Sequence, residues 1–190
     1  MRNVLFLALV GFLVAGTQSS ALAGGHEAKI NMYIDNHVRS WLASKELQQA
    51  IYQQNLDHKG LSAADISVLD GRWRAEKLVG GGSLMSSKMS GDVAAFLRGI
   101  KAAAGGVITE IFVMDDKGLN VAQTDPTGDY MQGDEAKWQK TFGVGAKAML
   151  IDEVEEDGGV NVSQVSLTIA RDNGFSLGAV TIGINVDALK

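Results

Sequence analysis

Apolar positions recur at helical spacing over the first half of the chain and at strand spacing over the second. Ile30, Tyr33, Ile34, Val38, Trp41 and Leu42 fall near i, i+3, i+4, which predicts a long amphipathic helix at the head of the segment 26–78. Ser44 is placed to cap a continuation through Leu47 and Ile51 to Asn55. Ser62 with Asp65 three residues later predicts a capped helix carrying Ile66, Leu69 and Trp73. Residues 79–91, thick in glycine and serine, read as a loop or a loosely ordered crossing segment. Asp92 to Ala104 reads as a helix with Val93, Phe96, Leu97 and Ile100 inward, stopped by Gly105-Gly106.

From residue 107 the chain is β-rich. The runs Val107–Met114 and Leu119–Gln123 flank Asp115-Asp116-Lys117-Gly118, a turn in which Gly118 can take positive φ, and so predict a hairpin. A loop of small, acidic and amide residues, Thr124–Asp134, follows. Glu135–Phe142 then reads as a short helix with Trp138 and Phe142 on one face. Ala148–Val154, Val160–Arg171 and Phe175–Val186 are further strands, the last two joined through Asp172-Asn173-Gly174. Helices first, five strands after them and one short helix between predict an α+β fold with a mostly antiparallel sheet. No internal repeat or linker divides residues 24–190, which read as one domain.

Residues 1–23 change the picture of where the chain works. Arg2 precedes an almost wholly apolar stretch, Val4–Ala15, and Ala21-Leu22-Ala23 closes the segment with small residues, which is the pattern of a cleaved secretory signal peptide. The stretch is shorter than the roughly 20 residues that cross a bilayer. A periplasmic protein is expected. The net charge of −5, or −6 once Arg2 leaves with the leader, disfavours nucleic acid and anionic lipid as partners. With no cysteine in the chain, disulfides, thiol catalysis and a lipoprotein anchor are excluded.

The order of elements and their marker residues resemble the extracytoplasmic Cache family, the PAS-like sensor domains also called PDC domains. The resemblance is carried by Phe112-Val113-Met114-Asp115-Asp116-Lys117-Gly118, by Val121-Ala122-Gln123-Thr124-Asp125, by Gly133 through Phe142, and by Gly178 through Leu189. It implies a PAS-like, mostly antiparallel five-stranded sheet behind a long N-terminal helix. It further implies a small organic ligand, and a signal passed to a membrane sensor or receptor partner. Amino-acid-binding members place an arginine just ahead of the aromatic of the short helix and an aspartate in the last strand. Here those places hold Ala136, ahead of Lys137-Trp138, and Asn185.

The polar loop and aromatic helix supply the candidate site. Asp125, Tyr130, Gln132, Asp134, Trp138 and Asn185 are the expected ligand-binding residues, a mix of aromatic wall and directional polar groups, with Lys137 as a further donor. The bland alternative is that Trp138 and Phe142 are core residues pinning the helix to the sheet. Asp125, Asp129, Asp134 and Glu135 lack the spacing of an EF-hand loop, so no metal is expected, and no cofactor. The acidic run Asp152–Asp157 reads as a solvated hairpin end. No serine sits in a G-x-S-x-G elbow, and no catalytic constellation is found, so the chain is not expected to be an enzyme. A homodimer through the first helix is expected from the apolar excess of Tyr33, Val38 and Trp41. The competing reading is an interaction protein of Cache-like fold whose pocket is filled by its own side chains.

Overall fold

The computed structural model describes residues 19–190. The leader predicted over 1–23 lies outside the described residues as far as residue 18. The first helix runs as α1 (Ser19–Tyr33), one wide π turn (Ile34–Val38) and α2 (Arg39–Leu42). Ile30, Ile34, Val38 and Leu42 are all buried at a constant spacing of four. In an unbroken α-helix that spacing drifts by about 40° per step. The π turn, bonded i→i+5, winds more slowly and keeps the four on the sheet. Val38, expected at a dimer face, is therefore fully buried, and Trp41 and Tyr33 are half-buried against the same core.

Helix α3 (Lys45–Asp57) is capped by Ser44 Oγ, which accepts from Leu47 N at 3.3 Å. Helix α4 (Ala63–Leu78) opens with the Ser62/Asp65 capping box. The segment expected as a loop contains a helix, α5 (Ser83–Met89), with Met85 buried. Its amino end is satisfied from another element: the Glu76 carboxylate of α4 accepts from Leu84 N and Met85 N at 3.2 and 2.8 Å. Helix α6 (Asp92–Ala103) ends where Gly105 and Gly106 take φ of 58° and 93°.

The strands β1 (Ile108–Met114), β2 (Asn120–Gln123), β3 (Met149–Asp157), β4 (Val160–Ala170) and β5 (Ser176–Asn185) form one antiparallel sheet in the order β2-β1-β5-β4-β3. The short helix α7 (Ala136–Gln139) follows the loop after β2. The β3–β4 turn, Gly158-Gly159, has φ of 59° and 85°, the double positive φ of a type I′ hairpin. The acidic run occupies the exposed half of β3, an edge strand that charge protects from pairing.

Each sheet face has a different cover. Ile111, Val113, Val165, Leu167, Val180, Ile182 and Ile184 face the helices and pack with Ile30, Ile34, Val38, Leu47, Ile51 and Leu97. On the other face, Phe112, Met114 and Ala179 are covered by Trp138 and Phe142. Further along that face the residues turn polar: Ser166 and Thr181 share a buried hydrogen bond at 2.9 Å, and Gln164 meets Glu110 at 2.8 Å. A second core, of Trp73, Met85, Leu119 and Tyr130, lies between α4, α5 and the loop after β2.

Candidate functional site

The polar part of this second face forms the floor of a cavity of about 220 Å³, walled by Glu110, Phe112 and Gln164 from the sheet and by Thr127–Asp129, Gln132, Glu135 and Lys137 from the loop and α7. Period-2 alternation builds the floor. On β4, Val165, Leu167 and Ile169 go to the helices while Gln164, Ser166 and Thr168 go to the other face. Gly183, paired with both Glu110 and Gln164, leaves room for the side chains of Thr109 and Glu110, since a Cβ there would lie 2.3 Å from Thr109 Oγ1 and 3.0 Å from Glu110 Cγ. A larger trough of about 420 Å³ shares Glu110 and Gln164 and continues along the acidic half of β3 past Asp152, Glu153, Glu155 and Asp157.

Charge is distributed unevenly around the cavity. Lys137 Nζ pairs with Glu135 at 2.9 Å and lies 5.4 Å above the Phe112 ring, so its charge is largely spent within the wall. Asp129 pairs with Arg74 at 3.3 Å. Glu110 accepts from Gln164 Nε2 and has no cation partner among the described residues. The loop is held in shape by its own bonds. Gln132 Nε2 donates to Asp129 O at 2.8 Å, and the Thr127 hydroxyl, which takes the Asn120 Nδ2 hydrogen at 2.7 Å, lies 2.7 Å from Asp129 O and 3.3 Å from Gln123 Oε1. Beside Thr127, two fully buried amide atoms, Gln123 Nε2 and Asn120 Oδ1, have no protein partner, one a donor and the other an acceptor.

The six expected site residues are not brought together. Gln132 lines the cavity. Asp134 lies in a separate groove of about 520 Å³ against α4. Asp125 binds Lys101 Nζ at 2.6 Å and the Thr124 hydroxyl at 2.7 Å, tying the loop to α6. Tyr130 is 1% exposed and stacks on Trp73 with centroids 5.7 Å apart, and burial, reinforced by the Asp115 charge, pushes its phenol well above the ordinary range. Trp138 stacks on Phe142 at 5.0 Å over the sheet. Asn185 caps the 3-10 turn Val186–Ala188, accepting from Asp187 N at 3.1 Å. Glu110 and Gln164 were not singled out from the sequence. Their signal is a polar residue on the alternating face of an otherwise apolar strand.

The strand order, the long N-terminal helix and the loop-covered second face make the fold PAS-like. No family model matches the chain, and no curated protein matches it. Solved structures do. The sensor domain of the Vibrio cholerae histidine kinase DctB is similar over 91% of this chain and 59% of its own, at 10% identity and a TM-score of 0.38. The ligand-binding domain of the Pseudomonas aeruginosa amino acid chemoreceptor PctC, in complex with GABA, is similar over 89% and 60%, at 14% identity and a TM-score of 0.43. The sensory domain of the Campylobacter jejuni chemoreceptor Tlp3, with isoleucine bound, is similar over 86% and 64%, at 12% identity and a TM-score of 0.38. The chain spans about three fifths of the length of these domains. Two are sensor or sensory domains by description and the third a ligand-binding domain. Likeness at this level says nothing about a ligand of this chain.

Proposed function

We propose that this chain is an exported, periplasmic sensor-type domain of the Cache class that binds a small organic ligand carrying an amine and passes the event to a membrane sensor or receptor by contact. The observation that carries the reading is the cavity itself: a polar floor and hydrogen-bonded loop around Glu110, a carboxylate with no cation partner among the described residues. A ligand ammonium supplies the missing charge, and Gln132 and Gln164 in the same wall carry the amides that can orient it. Because the loop Thr127–Lys137 forms one wall, a ligand bridging it to Glu110 favours the closed loop over more open members of the ensemble. No catalytic role is assigned to any wall residue.

Among the described residues no helix is long and apolar enough to cross a membrane. The cavity is small by the standard of ligand sites, about 300–1,000 Å³, and this favours a compact ligand. It also keeps one other reading open to test, an interaction protein with no ligand. The experiment is a thermal-shift screen of small amines, amino acids and carboxylates on the purified protein. The expected outcome is a rise in melting temperature with an amine, growing as ligand concentration passes Kd and lost in E110Q. If no compound raises it, the interaction-protein reading stands instead.

A further inference from the structure

Asp115 is fully buried at the start of the β1–β2 turn and its carboxylate is saturated with donors. Oδ1 accepts from Lys117 N and Leu119 N, both at 2.9 Å, which sets the turn. Oδ2 accepts from Gln54 Nε2 at 2.9 Å and lies 2.7 Å from His58 Nδ1. Gln54 sits on α3 and His58 caps its carboxyl end, so this single carboxylate fastens the helix to the hairpin. The main-chain carbonyl of the same residue accepts from Trp138 Nε1 at 3.1 Å, fastening the hairpin to the helix that walls the cavity. We infer that the His58–Asp115 contact is a protonation-sensitive latch joining α3 to the turn that anchors Trp138. This goes beyond the ligand-binding reading and stands whether or not the cavity takes a ligand.

The chemistry lies in the imidazole. A neutral ring has one N–H, and only the tautomer carrying it on Nδ1 donates to Asp115, whereas the imidazolium donates from both nitrogens. In the other neutral tautomer the Nδ1 lone pair faces a carboxylate oxygen at 2.7 Å, and the contact is lost. The His58 side chain is 16% exposed, so a proton reaches it from solvent without unfolding, while Asp115 at 0% cannot leave its donors cheaply.

The other charges around the latch come from each element packed on it. Asp57 precedes His58 on α3, Asp116 and Lys117 follow Asp115 in the turn, and Lys88 reaches in from α5 to donate to Gln54 Oε1 at 2.7 Å. Tyr130 lies beside Asp115 on the loop side. Burial lowers the Lys88 ammonium from its usual range, while Asp115 and Asp57 pull it back up. Of these side chains, only the imidazole of His58 both contacts the Asp115 carboxylate and changes, on gaining a proton, from one N–H donor to two.

The test is a proton and nitrogen NMR titration of the full chain from pH 5 to 8, with the Trp138 indole N–H assigned by W138F. The expected result is that the His58 ring and the Trp138 indole move with one midpoint. In H58Q, which keeps an amide donor but cannot titrate, the Trp138 signal should stay fixed while His26 and His37 still titrate. A Trp138 response unchanged in H58Q, or absent from the unsubstituted protein while His58 titrates, overturns the latch. Should H58Q fail to fold, the two midpoints in the unsubstituted protein decide it, and their disagreement overturns it equally.

Discussion

The indole nitrogen of Trp138 donates to the main-chain carbonyl of Asp115 at 3.1 Å, and the ring covers Phe112, Met114 and Ala179. Trp138 therefore fastens α7 down onto the sheet, with Phe142 stacked beside it. W138A is expected to lower unfolding free energy by about 2–4 kcal/mol, below the upper end for a fully buried tryptophan because the residue is only half-buried. Denaturant unfolding measures this, and W138F should recover most of the loss. A W138A protein of unchanged stability would show that the ring holds nothing.

Gly118 has φ of 78°, and a Cβ on it would lie 2.4 Å from the Cα and N of Gly133. The turn and the loop thus touch backbone to backbone, also bonded through Gln132 N to Gly118 O at 2.8 Å. G118A combines left-handed strain with a clash against main chain that has no flexible end to move. A cost of at least about 2 kcal/mol follows, or a fall of about 4–8 °C in melting temperature for a chain of this size. A drop within 1 °C would contradict the contact.

Alkaline pH should unfold the protein through Tyr130. The folded-state value is raised above the ordinary value near 10, so the unfolded chain releases the phenolic proton first. Stability present below pH 10 is lost as pH rises beyond it. Tyr33, raised by its own burial, adds in the same direction. Lys88 acts oppositely: its lowered value means stability rises with pH toward the ordinary lysine range and then levels. Melting temperatures from pH 8 to 11 should decline above pH 10, with a shallower decline in Y130F.

Asp116 stands beside Asp115 with Oδ1 buried and partnerless, and burial together with the Asp115 charge holds its carboxyl above the usual range. The folded protein keeps that proton to higher pH than the unfolded chain does. Its contribution is therefore present in acid and lost as pH rises through the folded value. At pH 7 the charged group is a liability, so D116N should raise the melting temperature, and the gain should shrink at pH 4. An equal gain at both would show that charge is not the cause.

The elements that sequence reading located best are those whose signals are local. Ser44, the Ser62/Asp65 pair, Asp172-Asn173-Gly174 and the turn at Gly118 specify caps and hairpins with residues a few positions apart, and each forms. Helix α5 was not legible because its amino end is satisfied by Glu76 on α4, and its anchor Met85 is buried among residues distant in sequence. The cavity was half legible. An aromatic in a polar loop reads the same whether it lines a pocket or fills an interior, and Tyr130 does the second by stacking on Trp73. Glu110 and Gln164 meet only through strand pairing across β5, which spacing along the chain does not reveal.

The π turn at Ile34–Val38 holds one residue more than a regular α-helix would need between the same two ends. Asn36 is itself exposed, so a conventional substitution there should be neutral. Deleting it would let the turn relax to regular α-helical bonding, and the steps then left between Ile30 and Leu42 make about 1,100°, within about 20° of three whole turns. Ile30 would stay on the sheet. The same deletion elsewhere in the helix, with the wide turn kept, would rotate everything on its amino side by about 100° and carry Ile30 off the core. The spare residue of this helix is thus confined to one turn, where its loss restores regular winding.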